Sequence, residues 1–145
     1  MSTITNQKLQ IIVIDDSRGP IEYYIEALEL SGYAVRHIST TREALAHIDN
    51  EEPVDLYVVD IMIPVGDSGL DVKQSNYGMT TGLLLRERLR RKYKKMPILI
   101  LTNVSAPEIL DALPKDPATM ILSKPDLLPF ELVIVVDQFL KNAEK

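Results

Sequence analysis

The chain has 145 residues, of which 46% are hydrophobic and 26% charged, a composition that suits one globular domain with a sizeable core. Sixteen Lys and Arg against 21 Asp and Glu give a net charge of −5, which argues against non-specific binding of nucleic acid. There is no Cys, which excludes disulfides and thiolate chemistry, and the two His are too few for a His-rich centre, so any metal site must be built from oxygen.

The first element is the run Leu9 to Ile14. Its consecutive aliphatic residues, mostly β-branched, predict a strand covered on both faces. Asp15 and Asp16 follow it directly. Ile21, Tyr24, Ile25 and Leu28 fall at helical spacing, predicting a helix from about Ile21 to Ser31 that stops at Gly32. Tyr33 to Ile38 predicts a second strand. Thr40 or Thr41 can cap a helix through about Asp49. A third strand, Leu56 to Val59, ends in Asp60. A helix from about Thr80 to Lys94 carries Leu84, Leu85 and Leu89. A fourth strand, Ile98 to Leu101, ends in Thr102. A short helix is expected over Pro107 to Leu113, then a proline-rich loop. A fifth strand, Met120 to Leu122, leads into Lys124 and Pro125. The last helix starts near Pro129, a residue suited to a first turn, and runs to about Asn142. This alternation predicts a three-layer α/β domain, a (βα)5 flavodoxin-like fold with a five-stranded parallel sheet.

Three acids, a hydroxyl and an amine then lie at the same end of four strands, and in an open parallel sheet that edge is where ligands bind. Two adjacent carboxylates repel and raise each other's pKa unless a positive group joins them. Taken singly, each residue has a plainer use. Asp15 or Asp16 can cap a helix, Asp60 can sit in a turn, Thr102 can end a strand, and Lys124 can be a surface lysine. Met62 is a packing residue by its side chain.

The joint arrangement resembles the receiver domain of two-component response regulators. The resemblance rests on Asp15-Asp16, on Asp60-Ile61-Met62-Ile63-Pro64, on Thr102 and on Lys124-Pro125, and it covers nearly the whole chain, 1–145, as a single receiver domain. It implies that Asp60 accepts a phosphoryl group, with Lys124 pairing to a phosphoryl oxygen and Thr102 hydrogen-bonding another. It implies Mg2+ as cofactor, held directly by Asp16 and Asp60, through water by Asp15, and by the backbone carbonyl of Met62. It also implies a cis Lys124–Pro125 bond. The implied function is a phosphorylation-dependent signalling switch that catalyses only its own phosphorylation and dephosphorylation and is not otherwise an enzyme. The implied partners are a histidine kinase or phosphotransfer protein and a downstream protein contacted directly.

Three features depart from the family pattern. Val65 to Met79 reads as an inserted loop before the third helix, either a lid over the pocket or a plain excursion. Asn103 follows Thr102 where the family usually has Ala or Gly. Ile121 stands where an aromatic residue is common, three before the lysine. These departures favour an alternative, a pseudo-receiver binding module that phosphorylation does not regulate. An aspartyl-nucleophile phosphatase would want a second Asp two residues after the nucleophile, but Ser17 and Arg18 stand there. A flavin-binding relative would want hydroxyls and backbone N–H groups in the first loop, which is acidic here.

Arg86, Arg88, Arg90, Arg91, Lys92, Lys94 and Lys95 read as a solvated basic helix face, with a docking patch for an acidic partner as the alternative. The run Leu132 to Val136 is wider than one buried stripe and predicts a partner face or a homodimer contact. No stretch approaches the roughly 20 apolar residues that span a membrane, and Met1 to Lys8 is polar. No membrane partner is therefore expected, and a cytoplasmic location is expected by default.

Overall fold

The computed structural model describes residues 8–17, 19–75, 78, 80–103, 111, 115–124 and 127–143. Among these, strands and helices follow the expected order, with the fourth and fifth strands consecutive because the helix expected between them lies outside the described residues. The strands are β1 (Gln10–Ile14), β2 (Ala34–Ile38), β3 (Leu56–Val59), β4 (Ile98–Thr102) and β5 (Thr119–Ser123). The helices are α1 (Pro20–Leu30), α2 (Thr41–Asn50), α3 (Thr81–Lys92) and α4 (Pro129–Ala143). The sheet order is β2-β1-β3-β4-β5 and every pairing is parallel.

Strand periodicity builds the three layers. Side chains alternate between the faces of a strand, so Ile12 and Ile14 join Tyr57, Val59, Ile98 and Ile100 beneath α2 and α3. Ile11 and Val13 join Val58, Leu99 and Leu101 beneath α1 and α4. Each fully buried aliphatic side chain contributes about 1.5–3 kcal/mol.

Local signals account for the helix ends. Pro20 opens α1 after Gly19, which adopts a φ of 78°. Ser31 and Gly32 close it, with Gly32 at a φ of 103° that a side chain rarely tolerates. The Thr40 hydroxyl caps α2 by accepting from the Glu43 N–H at 3.1 Å.

Two regions differ from expectation. The basic cluster is not a uniformly solvated face. Arg86 is 3% exposed and bonds Asp116 at 2.6 Å, while Arg90 reaches the same carboxylate at 2.8 Å. Arg88 pairs with Asp49, and Lys92 donates to the Ile48 carbonyl. The partners lie far away in sequence, so helix periodicity alone could not name them. In the last helix, Leu132 and Val136 are buried and Val133 and Val135 partly so, leaving Ile134 as the exposed member of the run, near exposed Phe130.

The segment after Pro64 is a loop of turns held by its own bonds. The Thr41 hydroxyl donates to the Pro64 carbonyl at 2.7 Å. Fully buried Ser75 donates through its hydroxyl to the Val72 carbonyl at 2.8 Å and accepts from the Gly78 N–H at 3.1 Å. Its carbonyl accepts from the Thr80 N–H at 2.8 Å, and Leu70 packs on the core under α2 and α3. The short helix expected over Pro107 to Leu113, and the Lys124–Pro125 bond, lie outside the described residues.

Candidate functional site

The sheet order reverses between β1 and β3, the place where open parallel sheets take ligands. Asp15 and Asp16 leave β1 there, and Asp60 leaves β3 beside them. Backbone bonds fix both exits: the Asp60 N–H donates to the Ile14 carbonyl at 2.9 Å, and the Asp15 N–H to the Ile38 carbonyl at 3.0 Å.

The three carboxylates converge. One oxygen from each of Asp15, Asp16 and Asp60 lies within 4.8 Å of the others. Asp15 and Asp60 are buried and Asp16 is exposed. Lys124, arriving from β5, bonds Asp15 Oδ2 at 2.5 Å and approaches Asp60 Oδ2 at 3.4 Å. The Met62 N–H lies 3.3 Å from Asp60 Oδ1, so the chain curls back over the carboxylate.

Burial pushes the Asp60 carboxyl up to about 6; the Lys124 charge opposes that rise and the Asp15 charge adds to it. Burial works against the charge on Lys124. The hydrogen bond to Asp15 and the charges of both carboxylates outweigh it and hold its pKa above the usual value. The arrangement is one partly buried cation among three acids, which leaves an excess of negative charge at the strand ends. An all-oxygen set of carboxylates suits a hard divalent cation, so Asp15, Asp16 and Asp60 could hold one.

Thr102 ends β4 and is buried, in register with Ser123 of β5. Asn103 is exposed, and with Ser17, Pro20, Ile21, Tyr24 and Lys124 it lines a cleft of about 250 Å3. Ile121 is half-buried and packs against the core under α2 and α3. The five predicted polar positions therefore come to one end of the sheet, with Asp15, Asp16 and Asp60 converging and Lys124 reaching Asp15 and Asp60.

The capping use of the acidic pair fails. Gly19 occupies the N-cap of α1, with no side-chain cap bond. Asp15 Oδ1 instead accepts from the Ser17 N–H at 2.8 Å and from the Ser17 hydroxyl. An Asp bonding the backbone two residues on is a local turn signal, so Ser17 was findable from sequence. Two other residues left no local signal. His37 Nε2 lies 2.7 Å from the Asp15 carbonyl oxygen, a contact between neighbouring strands. Gly82 packs against the backbone of Asp60 and Ile61.

Comparison with known proteins agrees with this geometry. A family model for the response regulator receiver domain matches residues 11–129. No curated protein matches significantly. Among solved structures, a CheY-like receiver domain protein from Methanospirillum hungatei JF-1 is 23% identical, with a TM-score of 0.70 over 95% of this chain and 98% of that one. The signal receiver domain of an HD domain-containing protein from Pseudomonas fluorescens Pf-5 is 19% identical, with a TM-score of 0.73 over 95% and 98%. The chemotaxis response regulator CheY4 of Vibrio cholerae is 27% identical, with a TM-score of 0.68 over 92% and 99%. With more than half its length matched by the model and its fold shared by these structures, the chain belongs to the response regulator receiver domain family.

Proposed function

We propose that this receiver domain is a phosphorylation-dependent switch whose acceptor is Asp60. The observation that carries the proposal is the Asp60 carboxylate at the switch point of the sheet, with Lys124 and the acidic pair around it. A carboxylate oxygen of Asp60 attacks phosphorus, and the bond from phosphorus to the donor's leaving atom breaks. The leaving atom is nitrogen for a phosphohistidine and oxygen for an acyl phosphate such as acetyl phosphate. The leaving group departs with the electron pair, and Asp60 becomes an acyl phosphate. Such transfer depends on positioning and on neutralising phosphoryl oxygens more than on covalent assistance.

Lys124 supplies one fixed positive charge, and Thr102 offers a hydroxyl at the next strand end. Asp15, Asp16, Asp60 and the Met62 carbonyl would hold Mg2+. When bound, the ion supplies positive charge against the phosphoryl oxygens. This is switching chemistry, with no external metabolite turned over. The donor is a histidine kinase or phosphotransfer protein, the output is contact with a downstream protein, and the setting is cytoplasmic. Among the described residues, no helix is long and apolar enough to cross a membrane.

Asn103 favours a second reading. Its exposed side chain lines the cleft beside Lys124, where it can obstruct a donor, as expected of a binding module without phosphorylation. One experiment separates the two. The protein is incubated with Mg2+ and acetyl phosphate or phosphoramidate, and its intact mass is measured. A phosphate-sized increase absent from Asp60→Asn supports the switch. No adduct, together with no change on adding beryllofluoride, supports the binding module.

A further inference from the structure

Asp16 is exposed, and no group among the described residues bonds its carboxylate. Its direction is therefore inherited from the main chain. The peptide joining Asp15 to Asp16 is planar, so whatever holds the Asp15 carbonyl also sets the path of Asp16. The Asp15 N–H makes the rung to the Ile38 carbonyl, after which β2 ends and the chain turns at Thr40 into α2. A side chain takes the next rung. His37 Nε2 lies 2.7 Å from the Asp15 carbonyl oxygen. A carbonyl has no hydrogen to give, so Nε2 carries the proton and donates. The register pairs His37 with Val13, two residues before Asp15, which puts the imidazole alongside that exit. Of the other bonds to Asp15, the one from Lys124 acts on its carboxylate alone, while the one from the Ser17 N–H closes a turn across the Asp15–Asp16 peptide, whose carbonyl is left for His37 to hold.

We infer that His37 is a positioning residue for the acidic cluster: its Nε2–H holds the Asp15–Asp16 peptide so that Asp16 converges with Asp15 and Asp60. The inference rests on the proposed function in that the cluster is taken to hold a divalent cation. It predicts a metal-affinity effect for a residue that offers the cation no ligand.

The test titrates Mg2+ into the full chain by calorimetry, with Mn2+ binding followed by electron paramagnetic resonance, for wild type and three variants. Each protein is also melted in EDTA. His37→Val removes the donor and keeps a strand-forming residue. His37→Gln carries an N–H where Nε2 stands, and His37→Asn carries one that falls short. Mg2+ affinity should fall by about tenfold or more in the Val and Asn variants, the usual scale for groups that orient metal ligands. Gln should recover most of that loss while melting like Asn in EDTA. Wild-type affinity in Val and Asn, or a Gln variant as weak as Asn, overturns the inference. If Val does not fold, the Gln and Asn pair decides. Wild-type protein that binds neither ion overturns the proposed function, and the inference with it.

Discussion

Gly82 rests on the main chain of Asp60: a Cβ at position 82 would lie 2.0 Å from the Asp60 carbonyl oxygen and 2.7 Å from Ile61 Cα. The Gly82 N–H donates to the Ile61 carbonyl at 2.8 Å, so α3 starts directly on the strand exit that carries Asp60. Gly82→Ala would gain about 1 kcal/mol of helix propensity. The overlap is with backbone and cannot be relieved by a rotamer, so a net loss of about 2 kcal/mol or more is expected. Urea unfolding measures it, and an Ala variant as stable as wild type would contradict the close approach.

Lys124 balances two buried carboxylates when no cation is present. Lys124→Met should cost about 3 kcal/mol in EDTA, because it leaves Asp15 and Asp60 facing each other without a counter-charge. Adding Asp15→Asn to that variant should recover part of the loss, a coupling that a double-mutant cycle reads directly. Simple additivity of the two changes would show that the lysine acts through packing.

Asp116 joins α3 to the start of β5. Burial pushes its carboxyl up. The Thr119 hydroxyl, the Ala118 N–H and the Arg86 and Arg90 charges more than offset that, holding it down at about 2. A depressed carboxyl stabilises the fold above its unfolded pKa, and the contribution disappears as pH falls through the folded value. The stability gap between wild type and Asp116→Asn should therefore be full at pH 6 and shrink between about pH 4 and pH 2. At neutral pH the Asn variant should lose about 3 kcal/mol, since buried Arg86 loses its counter-charge. Denaturant midpoints across that pH range provide the check.

Tyr57 is fully buried, and its hydroxyl lies 2.7 Å from His47 Nε2 while accepting from the Val54 N–H at 3.4 Å. Tyr57→Phe strands both partners and should cost about 2 kcal/mol. Burial pushes the Tyr57 phenol up to about 12, and burial also pushes Tyr24 and Tyr33 up, so an ultraviolet titration should show a late-ionising group of tyrosines that includes Tyr57. Tyr57→Phe should remove one tyrosine from that late group and leave the early ones.

Ser75 anchors the loop before α3 through its hydroxyl and its carbonyl. Ser75→Ala should lower stability by about 1 kcal/mol and speed amide exchange at Gly78, whose N–H loses its acceptor. Unchanged exchange at Gly78 would show that the loop is held by Leu70 and the Thr41 bond instead.

Order, type and polarity of the described elements were legible in the sequence because each rests on local pattern. The aliphatic runs, the helical spacing of Ile21, Tyr24 and Leu28, the cap at Thr40 and the stop at Gly32 all act within a few residues. The acids at the ends of β1 and β3, and the lysine after β5, followed from that order, since parallel strands put their C-terminal ends on one edge. The same reasoning misjudged Arg86 and Arg90. Their shared partner Asp116 is about thirty residues away, and helix periodicity carries no information about it.

What the sequence by itself determined is the set of strands, their parallel sense and the chemistry collected at their ends, because hydrophobic period and chain order dictate these. Only the tertiary structure decided how that chemistry is held. His37 reaches a carbonyl on the neighbouring strand, Gly82 lets α3 meet the Asp60 backbone, and Lys124 leans to Asp15 more closely than to Asp60. Each is a contact between elements distant in sequence, set by sheet register and helix seating to within a few tenths of an ångström, a scale on which residue pattern is silent.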